Sequence, residues 1–205
     1  MSAESFQEFL PEIALAAALA WGSGLRLYAV LFGLGLAGSN GWLALPAHLA
    51  VLAHPLVLGA SGLMATVEFG ADKLPWLDSL WDAVHTFIRI PAGAALAAAV
   101  FGGTESSIAV AAAILGGTIA AGTHLAKAGG RAAINTSPEP FSNWLASFGE
   151  DTLVPAGLWL AIAHPLPFLV ALALFGVFAL AMLGAIATGL TLVFRTLRSR
   201  AAGHR

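Results

Sequence analysis

Long apolar runs separated by short polar breaks dominate the pattern along this chain. The runs cover residues 13–37, 46–67, 91–103, 106–126, 153–163 and 166–194. A bilayer core about 30 Å thick takes roughly 20 apolar residues per spanning helix. The pattern therefore predicts an all-α, polytopic helical membrane protein with about five to six spans, formed by a single integral membrane domain over residues 1–205.

Glycine and proline interrupt several runs and predict broken or kinked helices. Two glycines precede Arg26 within the first run, and a guanidinium in mid-membrane costs about 2.5 to 3.5 kcal/mol on insertion scales. Arg26 should therefore face protein or water rather than lipid. The dipeptide His54–Pro55 predicts a kink in the second run, because proline removes a backbone hydrogen bond. His164–Pro165 predicts a turn between the last two spans.

Residues 68–90 differ from the rest because they place charged side chains between two apolar runs. Pro75 is predicted to begin a helix on which Asp78, Asp82, His85 and Arg89 form one continuous stripe. The other face of this helix is apolar, so the segment is amphipathic. We predict that it continues through the short run 91–103 as one membrane-embedded element.

A polar loop is predicted over residues 127–151. Within it we predict a short helix at 142–148, preceded by the turn-forming Pro138 and Pro140. Just before and at the start of this loop, His124, Lys127 and Arg131 recur at helical spacing. The tail over residues 195–205 is basic, and a basic flank beside a final span points to the cytoplasm. We therefore expect a cytoplasmic C-terminus.

Composition narrows the class of protein without naming an activity. Hydrophobic residues make up 59% of the chain and charged residues 10%, whereas soluble domains carry about 25% charged residues. The net charge of −2 offers no basic field for nucleic acid. Because cysteine is absent, disulfides and cysteine-bound metals are excluded, and any metal must use histidine and carboxylates. The first run lacks the positive flank of a cleavable signal peptide and should remain in the mature protein.

An inverted repeat is an open alternative for the architecture, since such repeats are common in small transporters. The string AHPL occurs at Ala53–Leu56 and again at Ala163–Leu166. A rival pairing matches Pro91–Gly93 with Pro155–Gly157. The two alignments are incompatible, and a chain rich in Ala and Leu produces short matches by chance.

Four strings carry a resemblance to a known family. They are GSGLRLY at Gly22–Tyr28, EFGADKLP at Glu68–Pro75, DSLWD at Asp78–Asp82 and HTFIRIPAGA at His85–Ala94. With them the chain resembles a family of uncharacterised bacterial membrane proteins, domain of unknown function 4126, over nearly its whole length. The resemblance implies a polytopic helical protein of a bacterial inner membrane, and it implies no activity.

The charged and titratable residues of the apolar segments are the candidates for binding an ion or small solute. They are Arg26, Glu68, Asp72, Asp78, Asp82, His85, Arg89, His124, Lys127 and Arg131. Ionisable groups inside a membrane often line a water-filled path. The favoured function is a small transporter or channel for a small solute or ion, coupled to proton movement.

Two other functions stay open. In a metal-dependent membrane enzyme acting on a lipid or polyprenyl phosphate, Asp78, Asp82 and His85, with Glu68 or Asp72, would hold a divalent cation, and Arg26, Lys127 and Arg131 would bind the phosphate. This is the less favoured hypothesis, and no other cofactor is expected. In a structural or accessory subunit, these charges together with Lys73, Glu150 and Asp151 would form an ion-pair network that fixes helix packing. The expected partners are the lipid bilayer and a small solute or ion, without nucleic acid, and homo-oligomerisation is left open.

Overall fold

The structure is a computed structural model that describes residues 3–135 and 141–202, and it is helical with no strand over those residues. The helices are α1 (Ala3–Ser39), a 3₁₀ helix (Ala47–Ala53), α2 (Pro55–Ala71), α3 (Pro75–Val100), α4 (Ser106–Ile134), α5 (Phe141–Ala163) and α6 (Pro165–Ala202). By length and composition, α1, α3, α4 and α6 are long and apolar enough to cross a membrane. The 3₁₀ helix and α2 form a fifth candidate, bent by 69°. The chain is therefore a multi-pass helical membrane protein, as predicted.

Proline begins three of the helices, at the places where the sequence predicts breaks. Pro55, Pro75 and Pro165 each stand at the first position of a helix, where the missing N–H group is not needed. His54 caps α2, because its Nδ1 accepts a hydrogen bond from the Leu56 N–H at 3.2 Å. The predicted kink at His54–Pro55 and the predicted break at His164–Pro165 are both confirmed.

Helix α1 folds back on itself at Arg26. The backbone of Arg26 is non-helical, with φ −144° and ψ 72°. A Cβ atom added to Gly22 would lie 2.7 Å from Cγ2 of Val30, although residues eight apart in a straight helix are about 12 Å apart. The two arms of α1, residues 3–25 and 27–39, therefore pack against each other as a hairpin with Arg26 at its tip.

Both arms of α1 meet the same end of the bundle, called here the Phe101 end. Ile13 and Phe101 line one apolar cavity, which places the start of α1 beside the end of α3. A Cβ atom on Gly102 would lie 2.6 Å from the His48 ring, so the 3₁₀ helix that follows α1 is also at this end. The opposite end, called the Asn135 end, is where α3 begins and α4 finishes.

Helix α3 turns its apolar face outward and its charged face inward. Phe87 is 83% exposed and Val84 is 54% exposed, whereas Asp78 and Arg89 are fully buried. This is the reverse of a soluble helix, and it suits a helix whose outer surface contacts lipid. The stripe predicted from the sequence is therefore the inner face of the helix.

The region predicted as a polar loop, residues 127–151, is largely helical. Helix α4 continues to Ile134 and α5 begins at Phe141, and the predicted helix at 142–148 is the first part of α5. Pro138 and Pro140 lie outside the described residues. The polar side chains of this region are buried against one another, which allows helices where exposure to lipid would be costly. Helix α5 is not among the helices long and apolar enough to cross a membrane, so the described residues contain at most five of the predicted five to six spans.

Candidate functional site

All ten residues singled out from the sequence lie in one buried cluster. Each of them is at most 6% exposed. Five further polar residues join them: Lys73, Asn143, Ser147, Glu150 and Asp151. We call these fifteen residues the ionic cluster. It lies among α1, α2, α3, α4 and α5, next to the tip of the α1 hairpin.

Arg89 links two acids from different parts of the chain. Its Nη2 atom is 2.7 Å from Oε1 of Glu68, at the end of α2, and its Nη1 atom is 2.6 Å from Oδ1 of Asp82, on α3. All three side chains are almost completely buried. Charge-assisted hydrogen bonds of this kind are among the strongest that proteins form, and here they attach α2 to α3.

Lys127 of α4 occupies the centre of the ionic cluster. Its Nζ atom is 2.7 Å from Asp72, 3.1 Å from Glu150 and 3.7 Å from Asp82. The same ammonium donates to the backbone carbonyl of Leu25 at 3.1 Å. That carbonyl belongs to the turn just before the break in α1, where backbone acceptors lose their helical partners. Lys127 thus stabilises both the acids and the broken helix.

Arg26 projects from the tip of the hairpin to acids on two elements. It pairs with Asp72 at 3.0 Å and with Asp151 of α5 at 2.9 Å. It also donates to the backbone oxygen of Ser147 at 3.1 Å and to its hydroxyl at 3.0 Å. Arg26 therefore faces protein rather than lipid, as its position in an apolar run predicts.

Arg131 fixes α5 against α4. It pairs with Glu150 at 2.9 Å, and it donates to Oδ1 of Asn143 at 2.6 Å and to the backbone oxygen of Asn143 at 3.0 Å. Asn143 and Ser147 are not among the ten residues predicted from the sequence, because those ten are charged or titratable and these two side chains are neither. A periodicity of three to four residues joins Asn143, Ser147 and Glu150, and this was the available signal.

Both cluster histidines fit their surroundings in the neutral form. The Nδ1 atom of His85 is 2.8 Å from the Trp81 carbonyl, so it donates there, and Nε2 accepts from the Tyr28 hydroxyl at 3.2 Å. For His124, Nδ1 accepts from Arg89 at 3.3 Å and Nε2 donates to the Thr86 hydroxyl at 2.7 Å. A carbonyl only accepts and a guanidinium only donates, which settles both tautomers.

The connection between α2 and α3 lies outside the candidate spans and contains two titratable groups. Burial acts to raise the pKa of Asp72, but Lys127 and Arg26 lower it more strongly, so the pKa lies below its ordinary value. Burial lowers the pKa of Lys73, and Asp151 only partly offsets this effect. The Lys73 ammonium also lies 3.0 Å from the centre of the Phe69 ring, a cation–π contact.

Three aspartates of the cluster lie close enough together to share a cation. One carboxylate oxygen from each of Asp72, Asp78 and Asp82 lies within 4.8 Å of the other two. His85 is not part of this group, because its two nitrogens are directed to Tyr28 and Trp81. Of the metal ligands predicted from the sequence, the three that lie close together are therefore Asp72, Asp78 and Asp82.

Two clefts approach the ionic cluster from different sides. A cleft of about 460 Å³ is mostly apolar, and Lys127, Arg131 and Glu150 form its polar part. A second cleft of about 300 Å³ is lined by Arg26, Glu68 and Asp151 among others. Arg26 lines the second cleft and Glu150 lines the first, and the two side chains form an ion pair at 3.6 Å.

Comparison with known proteins identifies a family. The model of a family described as a domain of unknown function (DUF4126) matches residues 13–185. No curated protein and no solved structure matches the chain. The match covers every residue of the ionic cluster, and its description assigns none of them a role.

Proposed function

Since the chain belongs to the DUF4126 family, whose description carries no activity, we propose from the site itself that the protein is a small membrane transporter. It would move a small ion or solute across a bacterial inner membrane. The observation that carries the proposal is the ionic cluster, which is buried within an apolar bundle at the tip of a broken helix. Buried ionisable groups in a membrane are costly, and they commonly mark the path of an ion or proton.

The broken helix supports transport over a purely structural role. Non-helical backbone at membrane depth is tolerated where it is buried in protein or lines a cavity. Discontinuous helices form the substrate sites of many transporters, because the ends of half-helices expose uncompensated backbone groups. In this protein the break at Arg26 leaves the Leu25 carbonyl to accept from Lys127, a central residue of the cluster.

The two clefts support a transport route that ion pairs close at its centre. One reaches Lys127 and Glu150, and the other reaches Arg26 and Asp151. The ion pairs between these residues lie between the clefts. An exchange of ion-pair partners by Arg26 would open the centre to one cleft at a time, which is the requirement for alternating access.

The proposal is tested by flux into proteoliposomes. Purified protein is reconstituted with an entrapped pH-sensitive dye or with radiolabelled solute, and gradients of alkali cations and small carboxylic acids are imposed. We expect flux above that of empty liposomes, and we expect Asp82→Asn and Arg26→Gln to reduce it at least tenfold. Glu105→Gln, which neutralises an exposed acid outside the cluster, should keep the wild-type rate.

Two results would count against transport. Wild-type flux no greater than that of empty liposomes for all these gradients would remove the reason for the proposal. Wild-type rates in both cluster variants would leave the cluster without a transport role. If the charges served packing alone, the variants would lose thermal stability and abundance, and the activity per folded molecule would not change.

A metal-dependent membrane enzyme is the second candidate, and the apolar cleft favours it. That cleft would accept a lipid tail, with Lys127 and Arg131 near the headgroup. Each of these cations is already paired with a carboxylate, however, so little charge is left to bind a phosphate. Turnover of a polyprenyl phosphate that requires Mg²⁺ and is lost in Arg131→Met would favour the enzyme over the transporter.

A further inference from the structure

Asp78 is the cluster carboxylate that no cation neutralises directly. It is completely buried, and neither of its oxygens has a hydrogen-bond partner. The charged groups that face it are Asp72, Asp82, Lys127 and Arg131. Both cations are already paired with other acids. A buried, ionised carboxylate without a hydrogen-bond partner or a counter-ion destabilises the folded state, unless a bound proton or cation compensates its charge.

The two neighbouring aspartates also have unused oxygens. Asp72 presents Oδ2 to Lys127 and Arg26, and its Oδ1 has no hydrogen-bond partner. Asp82 presents Oδ1 to Arg89, and its Oδ2 has no hydrogen-bond partner. With both oxygens of Asp78, four of the six carboxylate oxygens of these three residues have no hydrogen-bond partner. One oxygen from each of the three carboxylates lies within 4.8 Å of the other two.

The ionic cluster has a net charge of −1. Its acids are Glu68, Asp72, Asp78, Asp82, Glu150 and Asp151, and its bases are Arg26, Lys73, Arg89, Lys127 and Arg131. Six negative charges and five positive charges leave a sum of −1, because His85 and His124 fit the neutral form. One additional positive charge would balance the cluster.

We propose that Asp72, Asp78 and Asp82 form a binding site for one monovalent metal cation. A proton on Asp78 would form one hydrogen bond between two of the four oxygens and leave the other two unpaired, whereas a metal ion coordinates several oxygens at once. A divalent ion would change the sum from −1 to +1. Oxygens up to 4.8 Å apart suit an ion with metal–oxygen distances of about 2.4 Å, longer than the 2.0–2.1 Å that Mg²⁺ requires.

This site deepens the proposed function by naming the ion, and its place in transport rests on that function. The cation would bind between α3 and the connection from α2, beside Lys127. Lys127 contacts Asp72 and Asp82 as well, so ion binding and the Lys127 ion pairs act on the same two acids. Binding itself requires no membrane gradient, and it is measured separately from flux.

The test measures sodium binding to the full-length protein in detergent. Binding of ²²Na⁺ and the thermal unfolding midpoint are followed as sodium replaces choline at constant ionic strength. We expect saturable binding of one ion per chain and a midpoint that rises with sodium. Asp78→Asn should weaken binding at least tenfold and should be folded, with a midpoint in choline no lower than that of the wild type. Glu105→Gln serves as the matched control outside the site and should bind as the wild type does.

Three results would overturn the site. They are wild-type protein without saturable sodium binding, equal binding by Asp78→Asn, and stabilisation by Ca²⁺ or Mg²⁺ that exceeds the effect of sodium. The outcomes also separate the two proposals. Sodium binding without any flux upholds the site and rejects transport, whereas flux of a solute by a protein that binds no sodium rejects the site and upholds transport.

Discussion

Arg89 illustrates how single residues hold the centre of this protein together. Its guanidinium is fully buried and bridges Glu68 and Asp82, and it also donates to His124. The planar fork of arginine makes these contacts at the same time, whereas a lysine ammonium is a point charge on a flexible chain. At the scale of the residue, the network depends on fork geometry as much as on charge.

Replacing Arg89 should therefore destabilise the protein strongly. Arg89→Met leaves Glu68 and Asp82 buried without their partner, and the loss of one partner from a buried pair costs roughly 3 to 5 kcal/mol. Arg89→Lys should lie between Arg89→Met and the wild type. The measurement is denaturant unfolding in mixed micelles, with the exposed Glu105→Gln as a control that changes the free energy of unfolding by less than about 0.5 kcal/mol. An Arg89→Met variant as stable as the wild type would show that the bridge contributes nothing.

At the scale of the element, close helix packing holds the broken helix α1 in place. A Cβ atom on Gly24 would lie 2.6 Å from the Ala120 carbonyl oxygen and 2.8 Å from Cβ of Thr123. Glycine at this position lets α1 approach α4 closely, as small residues do in membrane bundles. The approach places Arg26 and Lys127 within reach of the same acids.

Gly24→Ala should push α1 away from α4 and disturb the cluster. Overpacking of this kind costs typically 1 to 3 kcal/mol, and the unfolding free energy should fall by about that amount. Gly33→Ala is the matched control, because it lies in the other arm of α1 and a Cβ there meets nothing within 4 Å. Equal stability of the two variants would contradict the close approach.

At the scale of the whole molecule, the hairpin in α1 decides which ends of the bundle the termini occupy. The first arm of α1 begins at the Phe101 end. Near the other end of the chain, α6 passes the Asn135 end, where a Cβ on Gly129 would lie 3.1 Å from Ile186. The two termini are therefore at opposite ends. If α1 crossed the bundle as a straight helix, they would be at the same end.

Cysteine labelling tests this topology, since the chain contains no cysteine of its own. Glu8→Cys and Glu105→Cys should react with a membrane-impermeant maleimide from outside intact cells. Arg195→Cys, close to the basic tail, should react only after lysis, which would support the proposed cytoplasmic C-terminus. Labelling of Glu8→Cys on the same side as Arg195→Cys would contradict the hairpin.

Local patterns predicted much of the candidate site. The helical spacing of Asp78, Asp82, His85 and Arg89 gave the buried stripe, because one face of a helix depends only on residues near in sequence. The predicted helix at 142–148 is the first part of α5, but the same patterns did not predict that it continues without a break into the apolar run 153–163. Burial of polar groups against α4 makes a helix favourable there. The proposed repeat stays open, although both AHPL strings stand where one helix ends and a proline begins the next.

The sequence by itself determined that the protein is a helical membrane protein, where most of its helices break, and which few charged residues need partners. These properties follow from hydrophobicity, proline and spacing, which act locally. Only the tertiary structure decided that α1 folds back at Arg26, that Asn143 and Ser147 join the ionic cluster, and that Asp72 and not Glu68 lies with Asp78 and Asp82. Which charged groups pair depends on their distance and burial in the folded protein. Local sequence patterns do not specify contacts between residues far apart in the chain.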